Sequence, residues 1–437
     1  MSKTIRVAVL GLGTVGSGII RILQDDPEMI ARRAGCQFDI RYVVVRDLQK
    51  KRTVSLPSGT VMTSDWHQAV TDPNVDVVVE VIGGITTAKD AVLAALKARK
   101  HVVTANKALL ATFGDEVFDA AKASGVSIAF EAAVAGGIPI IATVGNSLTG
   151  NRVESIEAIL NGTSNFILSE MANKKRAYSD VLAEAQRLGY AEADPAMDSD
   201  GTDAAQKLTL LTRLAYGKKV EVKEFLRQGI NTLELADMLY ADELGYRVKL
   251  LAMTRLVGKQ LEMHVEPTLI RRSRAIARTD GAINIVELHG NAVGRLIVSG
   301  PGAGEMPTAS AVVADLIDMA IGRAQLTFPR LELWNSDSGL SVMPAEEIER
   351  RYYLRFTVED RPHVIADITD ILGRQEISLS SVIQHESPER DASGASAAVP
   401  LVIMTHRTSE GRIRAAEAEL AKLGSVRRPH IRMPVAD

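Results

Sequence analysis

From Ile5 to about Phe130 the sequence alternates short apolar runs with helical stretches, and this alternation constrains the fold more than any other feature. Its candidate strands are IRVAVL, FDIRYVVV, DVVVEVIG, HVVTA and VSIAF. Apolar residues occupy nearly every position of these runs, as expected of parallel strands that are covered on both faces. Between two of them, AKDAVLAALKARK has the spacing of an amphipathic crossover helix. The pattern predicts an α/β fold built on a doubly wound parallel sheet.

A glycine motif directly follows the first predicted strand. The motif GLGTVG matches G-x-G-x-x-G at the start of a predicted helix, and its residues include Gly11, Gly13, Thr14, Val15 and Gly16. The glycines permit a tight turn and a close approach of the backbone, and the helix N-terminus favours a pyrophosphate. Because a strand precedes the motif and a helix follows it, we predict a Rossmann-type dinucleotide-binding domain.

The residues after the second predicted strand bear on the choice of cofactor. Arg46 stands where an acidic residue would bind a ribose hydroxyl, and it is followed by Asp47 and by a basic trio at 50–52. An arginine at this edge suits a 2′-phosphate, which favours NADP. A solvated charge run in a loop would explain the same residues, so the sequence leaves the choice between NAD and NADP open.

An acidic stretch, GYAEADPAMDSDGTDAAQK from Gly189, is the most informative motif of the chain. It places five carboxylates before a predicted helix, at Glu192, Asp194, Asp198, Asp200 and Asp203. Asp203 and Lys207 are four residues apart and share one helix face. A surface ion pair is the commoner reason for that spacing, but so many carboxylates favour a site that binds a cationic amino group and holds a charged lysine.

Three further segments are candidates for a site. Lys107 follows HVVTA at the carboxyl end of a predicted parallel strand, where ligands bind in open α/β sheets. The glycine-rich GPGAGEMPTAS, from Gly300, precedes a predicted helix and is a second candidate for contact with the cofactor. NGTSNF, from Asn161, is predicted to be a polar turn that either holds a carboxylate or is only a turn.

Composition narrows the class of protein. The chain has 51 Lys+Arg against 54 Asp+Glu and a formal net charge of -3, which argues against nucleic acid as a partner. The single cysteine, Cys36, excludes internal disulfides and structural zinc clusters and fits a reducing compartment. No apolar run approaches the ~20 residues that span a bilayer. We therefore expect a cytoplasmic protein that binds neither nucleic acid nor membrane.

The length of 437 residues predicts more than one domain. We assign 1–150 to the nucleotide-binding domain, completed by about 305–325, and 151–304 to an α+β catalytic, substrate and dimerisation domain. Within the latter, 235–256 is predicted to be helical. Residues 326–350 are assigned to a linker. The remaining 351–437 read strand, helix, strand, strand, helix, strand, which is typical of a small ferredoxin-like unit.

These motifs together resemble the homoserine dehydrogenase family. The resemblance rests on GLGTVG, VEVIGG, TANKAL, EAAVAGGIPI, NGTSN, GYAEADPAMDSDGTDAAQK and GPGAGEMPTASAV, in this order, and covers Ile5 to about Gly322. The C-terminal unit resembles an ACT domain. The resemblance implies NAD(P)-dependent interconversion of L-homoserine and L-aspartate 4-semialdehyde, in the biosynthesis of threonine, methionine and isoleucine.

The same resemblance implies roles for individual residues. Lys207 is expected to donate the proton when the aldehyde is reduced, with Asp203 as its orienting partner and Lys107 between cofactor and substrate. Lys107 as the true acid stays an alternative. The substrate is expected to contact Glu192, Asp198 and Thr163. The cofactor is expected to contact Gly11, Gly13, Thr14, Val15, Gly16, Arg46, Lys107, Gly189, Glu192 and Gly304. A sodium ion is expected at Glu131 and the backbone carbonyls of Val134, Gly136 and Ile138, although the segment is equally explained as a glycine-rich hinge.

The resemblance also bears on assembly and regulation. We expect a homodimer or homotetramer, and threonine as the effector of the ACT domain. At the turn EDRPHVIADI, His363 stands where the family usually has glycine, and its bulk is expected to weaken or abolish threonine binding. A domain that only dimerises the enzyme is the alternative. Because every catalytic candidate precedes Gly322, activity is expected to survive truncation before Tyr352.

Two other functions fit part of the pattern. The first is a dehydrogenase for another amino-acid aldehyde or alcohol on the same scaffold. The second is a non-catalytic sensor that binds NAD(P) and an amino acid, although the two lysines and the acidic stretch disfavour it.

Overall fold

The computed structural model describes residues 3–191, 194–335, 337–385 and 398–436. In these parts the chain divides into two compact units, 1–156 with 203–222 and 283–340, and 157–202 with 223–282 and 341–437.

The strands are, in chain order, β1 Lys3–Leu10, β2 Cys36–Val44, β3 Val61–Thr63, β4 Val77–Glu80, β5 His101–Thr104, β6 Ile128–Ala129, β7 Val153–Ile159, β8 Leu226–Arg227, β9 Tyr246–Val257, β10 Gln260–Arg271, β11 Ile283–Gly290, β12 Gly294–Pro301, β13 Ser341–Val342, β14 Glu349–Glu359, β15 Leu379–Gln384, β16 Ala398–Thr405, β17 Thr408–Ser409 and β18 Val426–Ala436. The helices are α1 Thr14–Asp25, α2 Pro27–Ala34, α3 Trp66–Thr71, α4 Thr86–Lys97, α5 Lys107–Ser124, α6 Ile140–Ala142, α7 Gly162–Lys174, α8 Tyr178–Arg187, α9 Ala196–Ser199, α10 Thr202–Tyr216, α11 Leu235–Glu243, α12 Glu305–Ala320, α13 Arg323–Leu331, α14 Val364–Arg374 and α15 Glu410–Leu420.

A parallel sheet forms the centre of the first unit, with strand order β3-β2-β1-β4-β5-β6. The central strands β1 and β4 are buried on both faces, whereas the edge strand β3 is exposed. Val7 and Val9 of β1 lie in one core with Ile19 of α1 and Leu316 of α12. From β1 the chain adds β2 and β3 on one side of the sheet and then β4, β5 and β6 on the other side. At such a switch point a crevice opens at the carboxyl ends of the strands. The predicted doubly wound α/β fold is confirmed.

A mixed sheet runs through the second unit in the order β9-β10-β18-β14-β16-β15. Its C-terminal part follows the order β14, α14, β15, β16, α15, β18, which confirms the predicted βαββαβ unit. This unit has its own core, in which Tyr352 and Phe356 pack with Ile368, Leu401 and Ile413.

The C-terminal βαββαβ unit shares its sheet with the rest of the second unit. Strand β18 pairs with β10 in parallel, with Val435 opposite Leu269. The Arg355 guanidinium donates from Nε to Asp237 Oδ1 at 2.6 Å, and Asp237 is fully buried. The described part of 351–437 is therefore joined to the rest of the second unit by strand pairing and by a buried ion pair.

The predicted helix over 235–256 is wrong in its second half. Helix α11 ends at Glu243, Gly245 has φ +85°, and Tyr246–Val257 is strand β9. Nearly every residue of β9 up to Thr254 is buried. An apolar run that is buried on both faces has the same composition in a strand and in a helix, so periodicity does not separate them.

Two local predictions also differ from the structure. NGTSNF is not a turn but the start of helix α7, in which the Asn161 side chain accepts a hydrogen bond from Ser164 N at 2.7 Å and acts as the N-cap. The segment 326–350 contains the end of α13 and the short strand β13, so it is partly regular. Its role as a linker stays a prediction. None of the described helices is both long and apolar enough to cross a membrane.

Candidate active site

The glycine motif lies between β1 and α1 and leaves room for a ligand. Gly11 has φ +109°, and a Cβ there would lie 2.6 Å from the carbonyl oxygen of Val81. By contrast, the space beside Gly13 is open, because no heavy atom lies within 4 Å of where its Cβ would be. Gly13 is also the N-cap of α1, and no side chain caps that terminus. The motif therefore forms a cradle for an anionic group at a helix N-terminus, which fits a dinucleotide pyrophosphate.

A cavity of about 540 Å³ lies above this cradle. Gly11, Gly13 and Arg46, which are among the residues predicted to contact the cofactor, line it. Thr14, Val15 and Gly16 form the first turn of α1 below it. The cavity wall also includes Lys50 and Arg52, so positive charge collects at the end of β2. Such charge is the electrostatic requirement for a bound phosphate.

Glu80, which the sequence reasoning missed as a site residue, connects the cavity to α5. It is fully buried at the end of β4, and it accepts a hydrogen bond from Thr104 Oγ1 at 2.6 Å. Asn106 donates to Gly84 O at 2.7 Å and is the N-cap of α5, which begins with Lys107. Burial raises the pKa of Glu80. The signal in the sequence was a carboxylate inside the otherwise apolar run DVVVEVIG.

Lys107, Asp203 and Lys207 meet in the first unit, and we call them the catalytic trio after the role that the sequence predicts for them. The Asp203 carboxylate lies between the two lysines: Lys207 Nζ donates to Oδ2 at 2.7 Å, and Lys107 Nζ is 3.1 Å from Oδ1. Asp203 and Lys207 are buried in the first turns of α10, whereas about a third of the Lys107 side chain is exposed. One carboxylate thus fixes two ammonium groups, of which Lys207 is enclosed and Lys107 is accessible.

The second unit holds most of the residues predicted to contact the substrate. Asn161 Nδ2 donates to Asp198 Oδ1 at 2.7 Å. The Thr163 hydroxyl is buried and donates to the carbonyl of Tyr190 at 2.7 Å. Gly189 has φ +79° just after α8. Glu192 lies outside the described residues.

The glycine-rich segment 300–304 lies in the first unit. Gly304 is the N-cap of α12, again without a side-chain cap. Helix α12 packs against α1, and a Cβ on Gly18 of α1 would lie 2.9 Å from the Ala309 side chain of α12. The helices that follow the two glycine motifs therefore lie side by side in one unit.

The predicted cation site lies in a strained turn of the first unit. Glu131 is buried, and its carboxylate accepts hydrogen bonds from Ile141 N and Ala142 N, each at 2.8 Å. Burial raises the pKa of Glu131 to about 7. Gly136 has φ +56°, and a Cβ there would lie 2.5 Å from the backbone of Gly302.

The other predicted ligands follow Glu131 along the chain. Val134 ends the turn that Glu131 begins, and Ile138 O accepts a hydrogen bond from Ile140 N at 2.8 Å. The described residues contain no group of three or more His, Cys, Asp or Glu side chains that could hold a metal. A cation here would need the carbonyl oxygens as well as the carboxylate, and such a donor set suits a hard ion.

Comparison with known proteins places the chain in a family. Family models match over three stretches, described as "Homoserine dehydrogenase, NAD binding domain" at 11–131, "Homoserine dehydrogenase" at 139–317 and "ACT domain" at 352–425. A homoserine dehydrogenase of Pseudomonas aeruginosa is 44% identical over 99% of both chains.

Solved structures agree with this match. The structure of a homoserine dehydrogenase from Thiobacillus denitrificans has a TM-score of 0.91 and 44% identity, and the alignment covers 100% of this chain and 99% of that one. A hyperthermophilic archaeal homoserine dehydrogenase in complex with NADPH has a TM-score of 0.62 and 26% identity, over 75% of this chain and 99% of that one. The chain belongs to the homoserine dehydrogenase family of NAD(P)-dependent oxidoreductases, which act on a CH–OH group.

Proposed function

We propose that this chain interconverts L-homoserine and L-aspartate 4-semialdehyde with the catalytic trio as its acid–base centre. The observation that carries the assignment is the Asp203 carboxylate, which lies within 3.1 Å of two lysine ammonium groups. In the pathway to threonine, methionine and isoleucine, the biosynthetic direction is reduction of the aldehyde.

The trio supplies the proton in this reaction. When bound, the nicotinamide supplies the hydride-transfer chemistry. In the reducing direction the substrate carbonyl oxygen gains negative charge, and Lys207 Nζ donates a proton to it. Asp203 holds that ammonium group in position through the hydrogen bond to its Oδ2. We keep Lys107 as the alternative donor, because its side chain is the more exposed of the two.

For the substrate we propose contacts with Glu192, Asp198 and Thr163. Carboxylates suit the amino group and hydroxyl end of homoserine. Asp198 is held by Asn161, so it is oriented before a ligand arrives. The Thr163 hydroxyl donates to Tyr190 O, which also orders the chain just before Glu192.

For the cofactor we propose contacts from both glycine-rich segments, with a preference for NADP. The proposed contact residues are Gly11, Gly13, Thr14, Val15, Gly16, Arg46, Lys107, Gly189, Glu192 and Gly304. The preference is supported by Arg46, Lys50 and Arg52 in one cavity wall. The NADPH complex of the archaeal relative is consistent with it.

We further propose a sodium ion at Glu131 and the carbonyls of Val134, Gly136 and Ile138, where it would neutralise a buried carboxylate. Threonine is the proposed effector of the C-terminal unit, and a homodimer or homotetramer the proposed assembly. The boundaries given above for the individual domains and a cytoplasmic location remain part of the proposal.

A spectrophotometric assay of the reduced nicotinamide tests this function. Homoserine is offered with NAD and with NADP in parallel, and other short amino-acid alcohols serve as controls. We expect turnover with homoserine well above that with the other alcohols. Cofactor binding without turnover would favour the non-catalytic sensor, and a preference for another alcohol would favour a related dehydrogenase.

A further inference from the structure

Trp66 is a half-buried aromatic residue in the wall of the nucleotide cavity, and the proposed function assigns it no role. It is the first residue of α3 and one of two tryptophans in the chain. The other, Trp334, packs on the ring of Phe328, with 5.6 Å between centroids, and the Lys122 ammonium group lies 4.8 Å from its ring. Among the described residues, the only ring or cation in contact with the Trp66 ring is the ring of its neighbour His67. The Trp66 indole therefore meets no ring or cation from another part of the described chain.

Hydrogen bonds fix the turn that presents Trp66 to the cavity. Thr63 O, at the end of β3, accepts a hydrogen bond from Val45 N at 2.9 Å. The Thr63 hydroxyl oxygen accepts one from Asp65 N at 3.1 Å, and the Asp65 side chain caps α3. Because β2 and β3 are parallel neighbours, Arg46 and Trp66 follow adjacent strands at the same edge of the sheet.

The order of the strands gives the direction in which a dinucleotide lies. The cradle at Gly13 follows β1, whereas Lys107 follows β5 on one side of it and Trp66 follows β3 on the other. A dinucleotide with its pyrophosphate at the cradle and its nicotinamide towards the catalytic trio extends its other half towards β2 and β3. That half carries the adenine ring and, in NADP, the 2′-phosphate on the same ribose. Gly13, Arg46 and Trp66 line one cavity of about 540 Å³, so one ligand can contact all three.

We propose that the Trp66 indole stacks on the adenine ring of the dinucleotide, a role that rests on the proposed function for the direction in which the dinucleotide lies. Aromatic side chains bind nucleobases in this way because both partners present flat π-faces. Trp66 and Arg46 then have separate tasks. The indole binds the base that NAD and NADP share, whereas the guanidinium binds the 2′-phosphate that only NADP carries. Trp66 thus adds affinity for both nucleotides without discriminating between them.

Intrinsic fluorescence tests this contact, because the full chain has only two tryptophans. Trp334→Phe leaves Trp66 as the single indole, and Trp66→Phe leaves Trp334. Adenosine 2′,5′-bisphosphate is the probe with an adenine ring, and nicotinamide mononucleotide is the probe without one. We expect the adenine probe to quench the Trp334→Phe protein saturably and the Trp66→Phe protein much less. Nicotinamide mononucleotide at the same concentration should change neither.

Calorimetric titration with NADP and with NAD measures the contribution of the indole. Trp66→Ala should weaken the binding of both nucleotides by the same factor, about 5- to 100-fold, because stacking is lost from the shared adenine. Trp66→Phe keeps a ring that can stack, so it should lose less than ~5-fold. His67→Ala is the matched control, since His67 is an exposed ring beside Trp66 on α3 but outside the cavity lining, and it should bind both nucleotides as the wild type does.

Three results would overturn the role of Trp66. The first is an adenine probe that does not bind, and the second is a probe that binds without quenching Trp66. The third is a Trp66→Ala protein that keeps wild-type affinity for both nucleotides, and a lower Tm with that affinity would show a residue that only packs α3. If Trp66→Ala does not fold, the quenching in Trp334→Phe decides alone. Quenching and loss of affinity in a protein that does not turn over homoserine would refute the proposed function and leave the role of Trp66 intact.

Discussion

At the residue scale, the fold pairs the polar groups of the proposed active site before a ligand arrives. Asp203 holds two lysines, Asn161 holds Asp198, and Glu80 links the wall of the nucleotide cavity to the cap of α5. Paired groups of this kind lose little freedom on binding, which is how an active site becomes preorganised.

Arg46 provides a test of cofactor choice. We expect Arg46→Ala to weaken the binding of NADP by ~1.5–3 kcal/mol and the binding of NAD much less, because only NADP has the 2′-phosphate that the guanidinium would bind. The measurement is the dissociation constant of each nucleotide by fluorescence titration. Arg41→Ala is the control, since Arg41 is a half-buried arginine of β2 that pairs with Asp39 outside the cavity lining. Equal losses of affinity for both nucleotides would show that Arg46 does not bind the 2′-phosphate.

Glu131 gives the proposed cation site a pH dependence. Its pKa in the folded chain is about 7, against an ordinary value of 4.5, so between these values the folded protein keeps a proton that the unfolded chain releases. This group therefore lowers stability as the pH rises through that window. A sodium ion bound to the carboxylate, as proposed, would offset the loss, so replacing choline chloride by sodium chloride should raise Tm more at about pH 8 than at about pH 6. Glu131→Gln should remove this difference, and a sodium effect that survives in the variant would place the ion elsewhere.

At the element scale, the sequence predicted the strands and helices wherever the hydrophobic pattern is compatible with only one type of secondary structure. The strands β1, β2, β4 and β5 were predicted because parallel strands are continuous apolar runs, and α4 because AKDAVLAALKARK has the spacing of an amphipathic helix. Strand β9 was missed because both of its faces are buried. Glu80 was missed for another reason: the carboxylate inside an apolar run was a signal, but its hydrogen bonds with Thr104 and Asn106 join segments far apart in the chain, and no local pattern encodes such contacts.

The pairing of β18 with β10 revises the expectation that a truncated enzyme stays active. Truncation before Tyr352 removes β18 from the edge of β10 and Arg355 from the buried Asp237. Removing one partner of a buried pair costs ~3–5 kcal/mol, so we expect the truncated chain to be unstable and to lose activity for that reason. In urea unfolding, Arg355→Ala should show a loss of that size. Arg374→Ala, in a surface pair with Asp370, should lose less than ~1 kcal/mol. A truncated chain with wild-type stability would contradict this account.

The turn between β14 and α14 provides a test of regulation. His363 is the N-cap of α14 at φ +74°, a conformation that costs a non-glycine residue free energy. If its side chain obstructs the effector, both His363→Gly and His363→Ala should increase inhibition by threonine. The alanine variant should have a lower Tm than the glycine variant, because alanine keeps the backbone strain that glycine relieves. Inhibition assays and thermal unfolding measure the two effects. An unchanged response to threonine in both variants would favour a domain that only dimerises the enzyme.

At the scale of the whole molecule, the chain combines a nucleotide-binding unit that contains Lys107, Asp203 and Lys207 with a second unit that contains Asp198, Thr163 and the ACT domain. The long family motifs made the activity predictable from the sequence, because each combines several chemically constrained residues. The pairing of Lys107 with Asp203 was not predictable from local spacing, since 96 positions separate them in the chain.

The most direct test of the catalytic assignment is the homoserine-dependent reduction of NADP by Lys207→Ala, measured beside the wild type and Lys89→Ala. Lys89 is a matched control, because it forms a lysine–carboxylate pair with Glu116 outside the catalytic trio. We expect Lys207→Ala to reduce kcat by ~10²–10⁴ while NADP affinity stays near wild type, since an acid–base group acts on the chemical step. The variant should still fold, because the Asp203 carboxylate keeps Lys107 as its partner. Lys89→Ala should retain kcat. Wild-type turnover in a folded Lys207→Ala enzyme would contradict the account and transfer the role to Lys107.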